Sequence, residues 1–255
     1  MEGVTNGAIL VPAVRAGAWA SCRRSPARLG LRARIGGGAG SPSAGLAGMA
    51  FLEVRAVNLY ELTRSIIDSI PEQQRFSSRD EVLLMQFKAP LLALEDELVK
   101  GFYDEIEANP KINALLGDGA RAQREATLRR WWQRTLAGPI DDQYWAWQAL
   151  VGVVHIKVGV KNPTMMGMWN WILTSLRERV TAEVVGSAEA AAQVMACVER
   201  LALTTQAITA ESFLLNYLET VIRLTGFKPA LLERMFKTEI DLVLAEAREQ
   251  LGENI

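Results

Sequence analysis

From Phe51 onward, apolar positions recur every three or four residues, and no stretch alternates apolar and polar residues between turn signals. The pattern is helical, and breakers mark where each helix stops. A first helix is predicted over 52–69, ending before Pro71. A second begins near Ser78, where Glu81 three residues on has capping-box spacing. It breaks near Pro90, since proline disfavours helix in the residue before it. A long helix over 91–108 ends at Asn109-Pro110, followed by a short turn over 110–117 and a Gly117-Asp118-Gly119 loop. Helix 120–137 stops at Gly138-Pro139. Asp141 caps helix 142–159, which Gly159 closes. Asn162-Pro163 opens a helix running to about 185, before Gly186. Ser187 caps a long helix to about 224, ended by Gly226, and Pro229 starts a last one reaching about 250. These roughly eight helices make an all-α core, either a bundle or an orthogonal globin-like packing. No repeat of the length a solenoid needs is visible.

The last predicted helix places Leu232, Phe236, Ile240, Val243, Ala247 and Leu251 on one stripe, with Glu233, Lys237, Glu239 and Arg248 elsewhere. Such a face must pack on something, either its own domain or a partner. Residues 1–48 read differently. They hold six arginines against one acid, Glu2, and run out through Gly36-Gly37-Gly38-Ala39-Gly40-Ser41-Pro42-Ser43. Such a stretch buries too little apolar surface to offset its ordering entropy. A disordered tail, a translated upstream stretch with the true start at Met49, and an Arg-rich targeting peptide all remain open. The expected division is 1–48 as this extension, 49–225 as the folded domain, and 226–255 as an added amphipathic helix.

Charge narrows the function classes. Lysine and arginine number 28 against 29 acids, so no basic domain points to nucleic acid. No apolar run is long enough to span a membrane. Cys22 and Cys197 lie in dissimilar segments, which implies no disulfide framework and suits a reducing, cytoplasmic setting. There is no Gly-rich phosphate loop, no CxxC, no HExxH and no nucleophile elbow.

A single histidine, His155, is the chain's one source of imidazole chemistry. It projects from an apolar helical stripe with Val151, Val158 and Gly159. One reading is a core histidine bonded to a backbone carbonyl. The other is an iron ligand, because haem needs one neutral imidazole from a helix beside an apolar wall.

The segment His155-Ile156-Lys157-Val158-Gly159-Val160, with Pro163 soon after, resembles the proximal-histidine motif of globin-coupled sensors and protoglobins. Gly138-Pro139-Ile140-Asp141 resembles that family's turn between its distal and proximal helices. Gly101-Phe102-Tyr103-Asp104 and Asn109-Pro110 resemble its second long helix and that helix's end. Segment 52–69 resembles its extra N-terminal helix, so the resemblance covers about 52–224. It implies a sensor-type globin fold with an extra N-terminal helix, here with an added C-terminal one.

The resemblance further implies haem b held by His155, and reversible binding of O₂, CO or NO in a sensor or carrier. Tyr103 is the implied distal donor and Thr127 its partner, although a helical threonine also commonly bonds to its own backbone. Phe102, Leu128 and Trp131 would face the porphyrin, with Val151 and Val158 on the proximal side. Arg124 would reach a propionate. Met165 and Met166 stand where relatives often place aromatics, and Met166 is taken as a proximal contact. A homodimer through the last globin helices is implied, with a partner protein as the route for any signal. A haem enzyme (NO dioxygenase, nitrite reductase or peroxidase-like) and a haem-free globin-like signalling domain are the alternatives. The presence of His155 argues against the last.

Overall fold

The computed structural model describes residues 58–116 and 121–252. The expectations for residues 1–48, for the start of the first helix at 52–57 and for the loop at 117–119 lie outside the described residues. Within them there are eleven helices and no strand, so the all-α reading holds.

In chain order they are α1 (Leu59–Ser69), α2 (Ser78–Gln86), α3 (Lys88–Ala93), α4 (Glu95–Ala108), α5 (Pro110–Leu116) and α6 (Arg121–Ala137). There follow α7 (Asp142–Val158), α8 (Asn162–Arg179), α9 (Ala182–Val185), α10 (Ala188–Thr225) and α11 (Pro229–Leu251). Most predicted boundaries stand. Asp141 caps α7 by accepting the Tyr144 N–H at 2.9 Å, and Ser187 caps α10 through Ala190 N–H at 3.0 Å. Gly159, Gly186 and Gly226 close their helices at positive φ.

Three expectations need correction. The cap of α2 is Ser77, not Ser78, because Asp80 takes the bonding role given to Glu81. The Asp80 carboxylate accepts the Ser77 N–H at 2.9 Å and its hydroxyl at 2.7 Å. Glu81 instead accepts the Ile140 N–H at 2.8 Å, pinning the α6–α7 turn. The break expected at Pro90 comes earlier, at Phe87, and a second falls at Leu94. Pro90 occupies the first turn of α3, where its missing N–H costs nothing. Finally, the helix expected to reach 185 ends at Arg179. Val180 turns into the core at 3% exposure, and Arg179 donates back to the Ser175 carbonyl at 2.9 Å, satisfying the helix end.

The core is organised on α10, against which α7, α8, α1, α9 and α2 pack. Leu201, Ile208, Val194 and Ala202 on α10 are almost wholly buried, each large one contributing about 1.5–3 kcal/mol of apolar burial. The tightest seam is α7 on α10. A Cβ on Gly152 would sit 2.5 Å from the Thr209 carbonyl oxygen, so only glycine lets these backbones approach. Ser212 strengthens the seam by donating to the Ala149 carbonyl at 2.7 Å. A polar hub fastens α2 to the same helix. Asp80 is buried and pairs with Arg200, and the Phe76 N–H donates to Thr204 at 2.9 Å.

The last helix does not fold back: α11 has no buried residue. None of the described helices is long and apolar enough to cross a membrane.

Candidate functional site

The α6–α7 turn is held from three sides. Glu81 takes the Ile140 N–H, Arg134 donates to the Pro139 carbonyl at 2.8 Å, and the Thr135 and Tyr144 hydroxyls bond at 2.9 Å. Beyond this elbow the two helices make little contact with each other. Helix α6 packs against α3 and α4, α7 packs against α10 and α1, and neither packs along the other.

Helical periodicity sets which side chains face the opening. At about 100° per residue, His155 lies about 20° around α7 from Tyr144 and about 16 Å further along. Since Tyr144 meets α6, His155 points to the same side, flanked by Val151 and Val158. On α6, Leu128 and Arg124 likewise fall within about 20° of Thr135, and Trp131 within about 40°. By this geometry the two rows turn toward the same α6–α7 wedge, whose elbow end carries the buried Trp131, Trp132, Tyr144 and Trp145, while Trp131 also packs on Trp169 of α8. The Trp132 indole N–H donates to the Leu91 carbonyl at 3.2 Å, fixing that end.

His155 is half-buried, and its Nδ1 is shielded from solvent without a hydrogen-bond partner among the described residues. Desolvation holds its pKa below the usual histidine value, so the ring is neutral at physiological pH. The carbonyl partner of the plain core-histidine reading is absent among the described residues.

Tyr103, on α4, is 8% exposed. It packs with Val99, Ile106 and Met168, joined by Phe102, Ile112, Leu128 and Trp171. Leu128 thus links this cluster to the wedge wall. Burial pushes the Tyr103 phenol up to about 12, outweighing the positive charge of Arg124, so it stays protonated and able to donate. Its hydroxyl makes no hydrogen bond to a described residue.

A protoglobin family model matches residues 66–219, more than half of the chain. The chain belongs to the protoglobin family. The all-α core is accordingly a globin fold of the sensor type, a family that binds haem, and globins bind diatomic gases. The match starts inside α1 and stops inside α10, so α11 lies beyond it. No curated protein matches the chain.

Protoglobin membership raises the question whether these residues suit the haem. They do, on three counts. The imidazole is neutral, and its buried Nδ1 is not consumed by a hydrogen bond to any described residue. It stands on an apolar face with Val151 and Val158. The two helices that would flank a flat group, α6 and α7, make little contact with each other. An unpaired buried nitrogen costs about 1–3 kcal/mol, a cost that a partner in the wedge removes.

The other sequence candidates divide. Phe102 makes edge-to-face contact with Tyr103 at 5.3 Å and with Trp171 at 6.1 Å, so it braces the Tyr103 cluster. Trp131 contacts Trp169 edge-to-face at 5.3 Å. Thr127 lies about 80° around α6 from the wedge-facing row. Its hydroxyl donates to the Gln123 carbonyl at 3.1 Å. Met166 is 44% exposed and is not brought to the Tyr103 cluster, whereas Met168 is. Sequence reasoning missed Met168 and also Arg121. Arg121 ties α6 to α4 through Asp104 at 2.7 Å and Glu107 at 2.6 Å, bracing the helix that carries Tyr103. The i, i+4 acid Glu125 was a visible signal for Arg121; nothing distinguished Met168 from its neighbours.

A separate cavity of about 390 Å³ opens between α1 and α10, lined by Leu62, Ile66, Ala207 and Leu215 among others. It shares no residue with the wedge.

Proposed function

We propose that the chain is a gas-binding protoglobin, a sensor or carrier, in which haem b occupies the α6–α7 wedge with His155 as its axial ligand. The observation that supports this most is the neutral imidazole of His155, whose buried Nδ1 has no hydrogen-bond partner among the described residues, on an apolar face of α7 that makes little contact with α6. The haem supplies the iron at which O₂, CO or NO binds. The protein's own residues do the rest. Val151 and Val158 wall the proximal side. Leu128, Trp131 and Phe102 exclude water from the distal side. Arg124, on the wedge-facing row of α6, is the cation placed for a propionate. Tyr103 is the distal donor, because its phenol is protonated, buried and without a protein partner among the described residues. Thr127 is left out of the donor pair, since Gln123 already occupies its hydroxyl, and Met166 contributes at most from the rim.

The domain reading follows: residues 49–225 as the globin unit, 226–255 as an addition, and 1–48 as an extension outside the fold. Pairing of two copies through the last globin helices, α8 and α10, belongs to the same proposal, as does a signalling partner. A cytoplasmic setting is supported by the buried free thiol of Cys197.

An absorption spectrum of the purified chain tests the reading. One haem per chain is expected, with a Soret band that shifts on exposure to O₂, CO or NO. A colourless protein that takes up no added haem would overturn it. Rapid turnover of NO with a reductant would reassign the same site to an enzyme.

A further inference from the structure

Helix α4 carries two neighbouring rows. Val99, Tyr103 and Ile106 are buried and pack with Met168 of α8. Lys100, Asp104 and Glu107, each one residue further on, form a charged row about 100° around the same helix. Arg121, the first residue of α6, grips this charged row. Its guanidinium donates to Asp104 at 2.7 Å, to Glu107 at 2.6 Å and to the Lys100 carbonyl at 3.1 Å. Within α6 it also donates to Glu125 at 2.7 Å, and Lys100 adds a bond to Asp104 at 2.5 Å.

We propose that Arg121 is the positioning residue for Tyr103: its fork on Asp104 and Glu107 fixes the roll of α4, and so the aim of the phenol at a bound gas. This rests on the reading of Tyr103 as the distal donor. Two rows of one helix turn together, so whatever holds Asp104 and Glu107 also holds Tyr103. A roll of about 10° carries a phenol oxygen that lies about 9 Å from the helix axis through about 1.5 Å. That exceeds the spread of useful O–H···O lengths, roughly 2.5–3.0 Å. The apolar neighbours of Tyr103 leave this angle loosely specified, because apolar packing is non-directional. A guanidinium fork on carboxylates is directional and fixes it.

An isolated surface ion pair would be too weak for this task. Here three carboxylates and a backbone carbonyl converge on one guanidinium, whose side chain is 30% exposed. The bonds from Lys100 and Arg121 hold the Asp104 carboxyl below the ordinary carboxylate range, so it is ionised at neutral pH. The guanidinium bonds to the charged row and not to the buried one, so Arg121 acts on the ligand only through α4. The same grip sets α4 against α6, the helix that carries Leu128 of the Tyr103 cluster.

Two measurements on the haem-loaded full chain test the proposal: O₂ release in stopped flow, and the infrared C–O stretch of the CO complex, which reports a donor beside the bound gas. Arg121→Gln should speed O₂ release by part of the roughly 2- to 10-fold expected of Tyr103→Phe, and should shift the C–O band in the same direction as Tyr103→Phe does. In the Tyr103→Phe background, Arg121→Gln should change neither readout, while lowering the thermal midpoint alike in both backgrounds. A merely structural role would not produce that split. Should Arg121→Gln fail to take up haem, Asp104→Asn, which leaves Arg121 its bonds to Glu107 and Glu125, should give the same pattern at smaller size. An unchanged rate and band would overturn the proposal, as would equal shifts with and without the Tyr103 hydroxyl. A Tyr103→Phe variant that itself alters neither readout would remove the distal-donor reading, and this inference with it.

Discussion

Tyr103 and Asp80 are both buried polar side chains, and they are held in opposite ways. The Tyr103 phenol has no protein partner among the described residues and stays protonated because burial raises its pKa to about 12. It is thus a donor in waiting. A neutral hydrogen bond to a gas ligand is worth about 0.5–1.5 kcal/mol, so Tyr103→Phe should speed O₂ release roughly 2- to 10-fold in stopped flow. An unchanged rate would place the phenol outside the pocket. Burial pushes the Asp80 carboxyl up, but the bonds from Arg200 and Ser77 outweigh it and its pKa ends below the ordinary value. A carboxylate depressed in the fold contributes stability that is present above its unfolded pKa of about 3.9 and lost as pH falls through the depressed value. Asp80→Asn should therefore lower stability by about 2–3 kcal/mol at neutral pH. The gap to wild type in thermal midpoint should be flat from pH 8 to 5 and narrow below about pH 4. A gap independent of acid would show that the pair carries no charge-linked stability.

At the scale of elements, the seam between α7 and α10 positions His155, and Gly152 sets its closeness. Gly152→Ala forces a methyl against the Thr209 carbonyl and should cost about 1–3 kcal/mol of stability by thermal unfolding. A neutral effect would mean that the seam relaxes freely. The role of Gly152 is toward α10, which only packing reveals. Helix ends written in glycine or proline chemistry were legible: Gly159, Gly186, Gly226, Asp141 and Ser187 all act as their residue types suggest. Ends fixed by tertiary contact were not. The stop at Arg179 depends on burying Val180, and the shift from Ser78 to Ser77 depends on Asp80 meeting Arg200. His155 was legible as the lone imidazole on an apolar face, and Tyr103 through its motif. Thr127 could not be judged from spacing, because its hydroxyl bonds to its own helix.

For the whole molecule, the two structural themes are a core built on α10 and the slight contact between α6 and α7. A ligand that binds only the folded state adds stability, about 2.7 kcal/mol when present at a hundred times its dissociation constant. Haem should thus raise the unfolding temperature of the wild-type chain, and the gain should need His155. The most direct test is a haem titration of wild type and His155→Ala, followed by absorbance. The wild type should saturate at one haem per chain with an intense Soret band. The variant should show no stoichiometric band until free imidazole is added. A Soret band of full intensity in His155→Ala without imidazole would contradict the account.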